Sequence, residues 1–150
     1  MRGFLGGLVV AAVLSGAAQA ASVHDCDETA NAGNIVEPWE KNSRTFYNGQ
    51  VRVAYLDTGG EPVCCSGHLL VAIPGDDNEP GGGQTCFVVS DHDTLGFMAI
   101  GFDKLSTSYD PNRGLLIAFP FERYIDGIRS TKGTAKVRVN IAKHSVTVEK

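Results

Sequence analysis

Short segments of alternating apolar and polar residues, separated by turn residues, occupy most of the chain from Arg44 onward. The clearest is the segment 50–56, which follows Asn48-Gly49, a pair that accepts the positive φ angles of a type I′ hairpin turn. Segments 135–141 and 145–149 alternate in the same way around a short turn. A period of two residues places successive side chains on opposite faces of a strand. The pattern therefore predicts antiparallel β-structure.

The spacing of these segments also limits the fold class. About eight short strands can be counted between residues 44 and 150, and no segment has the pattern of a helix longer than two turns. The longest interruption, residues 74–84, holds four glycines and two prolines and is predicted to be an exposed loop. Short strands at intervals of roughly ten residues are typical of sandwiches and barrels. We therefore predict an all-β domain, either an antiparallel β-sandwich or a small barrel.

The first twenty residues have the pattern of a signal peptide. Met1-Arg2 supplies a positive start, residues 4–14 are apolar or glycine, and Ala18-Gln19-Ala20 is a small-residue cleavage motif. The apolar stretch is too short to span a bilayer, and no second candidate follows it. We expect cleavage after Ala20 and a secreted or periplasmic product without a membrane span.

Residues 21–43 show neither strand alternation nor a long helical period. We interpret them as an extended N-terminal arm, with Cys26 and a buried Trp39 as its tethers. The predicted organisation is therefore a signal peptide at 1–20, the arm at 21–43 and a β-sandwich domain at 44–150.

Four cysteines follow the candidate signal peptide, namely Cys26, Cys64, Cys65 and Cys86. An even number of cysteines in an exported chain predicts two disulfides. A bond between the neighbours Cys64 and Cys65 needs a strained eight-membered ring, and adjacent strand residues point to opposite faces. We expect these two cysteines to bond separately to Cys26 and Cys86, in an order that the sequence leaves open.

Composition and motifs argue against several classes of function. The net charge of −4 and the sequence pI near 5.5 provide no basic surface for nucleic acid. Ser90, His92 and Asp93 lie close in sequence, but their adjacency is no evidence of a catalytic triad. The acidic segments 76–79 and 91–93 lack the ligand spacing of an EF-hand. We predict no catalytic residue, metal site or cofactor, and favour a binding protein over an enzyme.

Aromatic residues are the candidates for partner binding. Tyr47, Tyr55 and Tyr109 could include outward-facing rings, but the segment 119–124 is the main candidate. Pro120 within it indicates an edge strand, which can accept a strand from another chain. The candidate contact residues for an unidentified protein or saccharide partner are Phe119, Phe121 and Tyr124.

The cysteine pair also supports an alternative hypothesis. Cys64 and Cys65 precede His68 by four and three residues. If the cysteines are reduced, two sulfurs with an imidazole suit Cu(I) or Zn(II). The usual C-x-x-C motif of metal sites and thiol oxidoreductases is absent from the sequence. We therefore favour an exported, non-enzymatic binding or accessory module, with a metal-handling or thiol-redox protein as the alternative.

Overall fold

The computed structural model describes residues 21–60, 64–76, 78 and 83–150. The candidate signal peptide and the residues before its cleavage site lie outside this part of the chain. So do Asp77 and Glu79 of the acidic loop.

Ten antiparallel strands form two five-stranded sheets, which confirms the predicted all-β fold and makes it a sandwich. The first sheet has the order β1-β5-β4-β3-β2, and the second has the order β10-β9-β8-β6, with β7 also paired to β8. The strands of the first sheet are β1 (Ser22–Asp25), β2 (Ser43–Phe46), β3 (Val51–Asp57), β4 (Gly67–Pro74) and β5 (Gln84–Ser90). Those of the second are β6 (Ala99–Ile100), β7 (Ser106–Asp110), β8 (Gly114–Asp126), β9 (Arg129–Asn140) and β10 (Ser145–Glu149).

Helical structure in the described residues is confined to short segments. These are one turn of α-helix, α1 (Trp39–Asn42), and 3₁₀ turns at Ala32–Asn34, Phe102–Lys104 and Ile141–Lys143. No helix in this part of the chain is long and apolar enough to cross a membrane.

The core lies between the two sheets. Alternate residues of the central strands point inward, as the period-two pattern requires, and their apolar side chains leave water together. Phe97 lies at the centre, with its ring edge-on to Phe119 at a centroid distance of 5.8 Å. The buried core residues include Val51, Val53, Leu69, Val71, Ile73, Val89, Leu115, Ile117, Val137 and Val139.

The N-terminal segment crosses the outer face of the first sheet. Residues 22–25 form edge strand β1, and Ile35 forms a bridge with Leu56 near the opposite edge. The chain between them must therefore pass over the sheet, on the face that the second sheet leaves open. Residues 21–43, interpreted from sequence as an extended arm, thus contain one strand of the sandwich. The expected buried indole is wrong, because Trp39 begins α1 and is 53% exposed.

The expected edge strand around Pro120 is also wrong. β8 is internal, since β9 pairs with one side and β7 and then β6 pair with the other. Pro120 lies between the β7 pairing, which ends at Ala118, and the β6 pairing, which begins at Phe121. Its carbonyl accepts a hydrogen bond from the Gly101 N–H at 2.8 Å. A proline is tolerated there because β8 changes partners at that point, where ladder pairing is already interrupted.

Candidate functional site

The disulfides differ from the expected pairing. Cys26 bonds to Cys86, and Cys64 bonds to its neighbour Cys65, so none of the four cysteines is free. The expectation that Cys64 and Cys65 bond to separate partners is therefore wrong. The reason is one of topology: Cys26 directly follows β1, whose antiparallel pairing with β5 already places it beside Cys86. Two disulfides are typical of proteins in an oxidising compartment such as the extracellular space or periplasm.

Two buried polar residues, His68 and Ser90, and the partly exposed His24 meet on the outer face of the first sheet. Ser90 of β5 is fully buried, and its hydroxyl lies 2.9 Å from Nδ1 of His68 and 3.3 Å from Nε2 of His24. His68 of β4 is only 3% exposed. β4 is an internal strand, because it lies between β3 and β5.

His68 also forms part of a cavity of about 330 Å³, which we call the histidine cavity. Burial is the main cause that lowers the pKa of His68, and the nearby His24 lowers it further. Asp27 and Asp57 act in the opposite direction but do not compensate. The imidazole is therefore held in its neutral form more strongly than a histidine in water. The cavity is lined by Glu28, Thr29, Asn34, Thr58, Cys65, His68, Thr94 and Leu95.

The loop after β5 does not gather a catalytic triad. Nδ1 of His92 lies 3.0 Å from Asp93 Oδ2, and both side chains are well exposed. The Ser90 hydroxyl instead bonds to His68 and His24, and it has no access to a substrate because it is fully buried. Asp91 is buried in an ion pair with Arg123 at 2.6 Å. Among the described residues, no group of three or more His, Cys, Asp or Glu side chains is arranged to hold a metal ion.

The aromatic residues chosen from the sequence are mostly withdrawn from the surface. Phe119 is fully buried in the core, so its proposed role as a surface contact is corrected. Phe121 is partly buried against Phe97 at a centroid distance of 5.0 Å, and Tyr124 is partly buried in β8. Tyr55 packs against the core and stacks on Phe102. The inward positions of β8 therefore serve the core.

Tyr47 and Tyr109, in contrast, are about half exposed, at 50% and 55%. Their ring centroids are 5.7 Å apart and the ring planes are tilted by 32°. The rings lie at the end of the sandwich opposite the histidine cavity, where the turns after β2, β7 and β9 meet. They border a cavity of about 220 Å³, the tyrosine groove, which is lined by Tyr47, Tyr109, Pro111, Asn112, Gly114, Leu115, Val139, Asn140, Ile141, Ala142 and Lys143.

The backbone presents Tyr47 in an unusual conformation. β2 ends at Phe46, and the N–H of Gly49 donates to the Phe46 carbonyl at 3.1 Å. The two central residues of this turn, Tyr47 and Asn48, have φ values of 54° and 55°. The predicted hairpin is therefore confirmed: Asn48 and Gly49 both have positive φ as expected, and Tyr47 is a third such residue. A left-handed conformation costs about 1–2 kcal/mol for a residue with a Cβ, and such strain is concentrated at functional sites.

The polar atoms of the tyrosine groove are available to a ligand. Hydrogen bonding with Tyr47 raises the pKa of Tyr109, so the Tyr109 hydroxyl is uncharged at neutral pH. Within the described chain, the side-chain amide of Asn112 makes no hydrogen bond and the ammonium of Lys143 forms no ion pair. Leu115 and Val139 supply an apolar floor. Rings, apolar floor and polar rim together are the usual composition of a small-molecule site.

Comparison with known proteins adds no relative. The chain matches no protein-family model, no curated protein and no solved structure.

Sequence reasoning included Tyr47 and Tyr109 among the aromatics but did not select them. A tyrosine directly before Asn48-Gly49 and another directly before Asp110-Pro111 are both at strand ends, where a side chain leaves the core. That position was the signal that could have identified the groove.

Proposed function

We propose that the protein is an exported, non-enzymatic binding module that holds a saccharide in the tyrosine groove. The observation that carries this proposal is the pair of half-exposed tyrosine rings, Tyr47 and Tyr109, beside an apolar floor. Sugar rings present flat C–H faces that pack on aromatic rings, and their hydroxyls need hydrogen-bond partners at the edges. Asn112 and Lys143 supply such partners at the rim of the groove.

The size of the groove favours a saccharide over a protein. A stable protein interface buries about 800 Å² on each partner, whereas a groove of about 220 Å³ accommodates one sugar ring and leaves the rest of an oligosaccharide outside. Tyrosine suits this role because it gives a large contact area with few rotatable bonds. The strained backbone at Tyr47 is consistent with a ring that is positioned for contact rather than for stability.

The test is an NMR titration of the oxidised protein with a panel of neutral and acidic oligosaccharides. We expect amide shifts confined to the turns after β2, β7 and β9. Tyr109→Ala should weaken binding about tenfold or more, as truncation of a central aromatic contact does. Trp39→Ala is the matched control, because Trp39 is equally exposed on α1 and does not line the groove. Binding that survives Tyr109→Ala, or shifts confined to another surface, would reject the groove.

Export is the second part of the proposal. It is supported by the signal-peptide pattern of residues 1–20 and by the two disulfides. The intact mass of protein isolated without reductant should begin at Ala21 and be lighter by the four hydrogens of two disulfides. A mass that retains residue 1 would contradict export by this route.

The alternative is a metal-handling or thiol-redox protein that uses Cys64, Cys65 and His68. One observation favours it: Cys65 and His68 line the same cavity. It requires the two neighbouring cysteines as thiols, whereas both are bonded in the structure. Thiol titration of denatured protein, isolated without reductant, separates the hypotheses. Two free thiols at Cys64 and Cys65, or a retained copper or zinc ion, would favour the alternative.

A further inference from the structure

The hydrogen bonds of His24 and His68 determine which ring nitrogen carries a proton. The Asp25 carbonyl can only accept, and it lies 2.9 Å from Nδ1 of His24, so that nitrogen is the donor. In neutral His24, Nε2 is then an acceptor, and it accepts a hydrogen bond from the Ser90 hydroxyl at 3.3 Å. The Ser90 oxygen in turn accepts a hydrogen bond from Nδ1 of His68 at 2.9 Å.

This chain of bonds leaves Nε2 of His68 without a proton. No hydrogen bond to Nε2 is formed within the described chain, and no fully buried side-chain nitrogen or oxygen there lacks a partner. Nε2 therefore reaches the histidine cavity, which His68 lines. A side chain that is 97% buried thus presents one lone pair to an open cavity.

Two other lining residues supply acceptors. Glu28 contributes a carboxylate. Nδ2 of Asn34 uses one of its two N–H groups on the Thr29 carbonyl at 3.0 Å, which leaves its second N–H and its amide oxygen. Hydroxyls of three lining threonines can act in either direction. His68 Nε2 and the Glu28 carboxylate are therefore the two acceptors that a donor ligand can use in the cavity.

The charge around the cavity has one sign. Among the described residues, no Lys or Arg lines it, whereas Glu28 does, and Asp27 and Asp57 are near enough to act on His68. His68 cannot easily supply the missing positive charge, because burial and His24 lower its pKa. A ligand with both a hydrogen-bond donor and a positive charge can donate to His68 Nε2 and also pair with the acidic side chains around the cavity.

We propose that the histidine cavity is a second binding site, and that it takes a primary ammonium group by donation of one N–H to His68 Nε2 and by pairing of its charge with Glu28. An ammonium has three donors and no acceptor, which matches the acceptors His68 Nε2 and the Glu28 carboxylate. The volume of about 330 Å³ admits a short alkyl stem behind the ammonium. The same chemistry is offered by a free alkylamine and by a lysine side chain.

Three small probes separate charge from hydrogen bonding in an NMR titration of the oxidised protein at pH 7. Propylammonium has both the charge and the N–H donors, propyltrimethylammonium has only the charge, and 1-propanol has a donor without charge. We expect shifts at His68, Thr94 and neighbouring amides for propylammonium, with clearly weaker binding of the other two. Nα-acetyl-lysine methylamide and free cadaverine then distinguish a protein-borne from a free ammonium.

Variants assign the contacts. Glu28→Gln should weaken propylammonium about fivefold, as expected for loss of a solvent-exposed ion pair. Glu40→Gln on α1 is the matched control and should have no effect. Thr94→Trp fills the mouth of the cavity from an exposed turn and should abolish binding without a change in the core. His68→Phe should weaken binding at least about tenfold, the usual loss for a hydrogen bond to a charged group.

The result that overturns the proposal is equal binding of propylammonium and 1-propanol, or binding that neither Glu28→Gln nor Thr94→Trp changes. Nitrogen chemical shifts that place the proton of neutral His68 on Nε2 would also overturn it. These outcomes are independent of saccharide binding, because the tyrosine groove lies at the other end of the sandwich.

Discussion

The buried position of His68 should make the stability of the fold depend on pH between 5 and 7. Burial, followed by the nearby His24, lowers the pKa of His68 below its usual 6.5. The unfolded chain then binds a proton more readily than the folded chain as the pH falls through 6.5. Linkage requires the free energy of unfolding to fall in the same range, and the contribution is fully present only above pH 6.5.

The magnitude has a ceiling that follows from this linkage. One pH unit corresponds to about 1.36 kcal/mol for a single proton, and pH 5 lies about 1.5 units below the usual pKa. If His68 stays neutral in the folded chain, it therefore lowers the free energy of unfolding by about 2 kcal/mol at pH 5 relative to pH 7. Asp27 and Glu149 add little to the change in stability between pH 5 and pH 7. Their pKa values are lowered, so their contributions to stability are lost only below the usual values of 3.8 and 4.5.

The perturbation is His68→Gln, whose amide can donate to Ser90 but does not titrate. Urea unfolding of the oxidised proteins, followed by circular dichroism at pH 7, 6 and 5, gives the free energy of unfolding. Wild type should lose up to about 2 kcal/mol more than the variant from pH 7 to pH 5. His92→Gln, at an exposed position, should behave as wild type. Identical pH dependence in wild type and His68→Gln would refute the reasoning.

Two further predictions concern the backbone and the disulfides. Gly114→Ala should lower the free energy of unfolding by about 3 kcal/mol in urea, because φ is +92° and a Cβ would overlap the Val139 carbonyl oxygen. Gly59→Ala is the control. Its φ is +58° but its surroundings are open, so the loss should be only about 1 kcal/mol. Serine substitution of both Cys26 and Cys86 should lower the free energy of unfolding by about 4 kcal/mol, since their bond closes a loop with a sequence separation of 60. The same change at Cys64 and Cys65, at a separation of 1, should cost about 1 kcal/mol or less. Equal losses in either pair of variants would contradict these assignments.

The strands from β2 onward could be predicted because their alternation reflects burial on one face. β1 could not, since its four residues contain only one apolar side chain, Val23, and its pairing partner β5 lies more than sixty residues away. The outer half of the β8–β9 hairpin was missed for a different reason. Asp126-Gly127 is a hairpin signal, but residues 122–134 extend beyond most of the core, so their apolar alternation fades.

The candidate sites were harder to predict than the fold because they join residues that are distant in sequence. His24, His68 and Ser90 meet through the pairing of β1 and β4 with β5. One signal was available in the sequence. Segments 53–56 and 69–73 are apolar at inward and outward positions alike, which indicates a strand covered on both faces. A histidine beside such a strand is then expected to be buried.

The crossing segment, residues 26–35, lines the histidine cavity, so its release should open the cavity. The crossing is held at its start by the Cys26–Cys86 bond and at its end by the Ile35–Leu56 bridge. Between these points it contributes Glu28, Thr29 and Asn34 to the cavity but no residue to the core between the sheets. Loss of the disulfide therefore frees a segment whose opening leaves that core intact. Under reducing conditions, the cavity should open by local unfolding, with His68 exposed to water, before the sandwich itself unfolds.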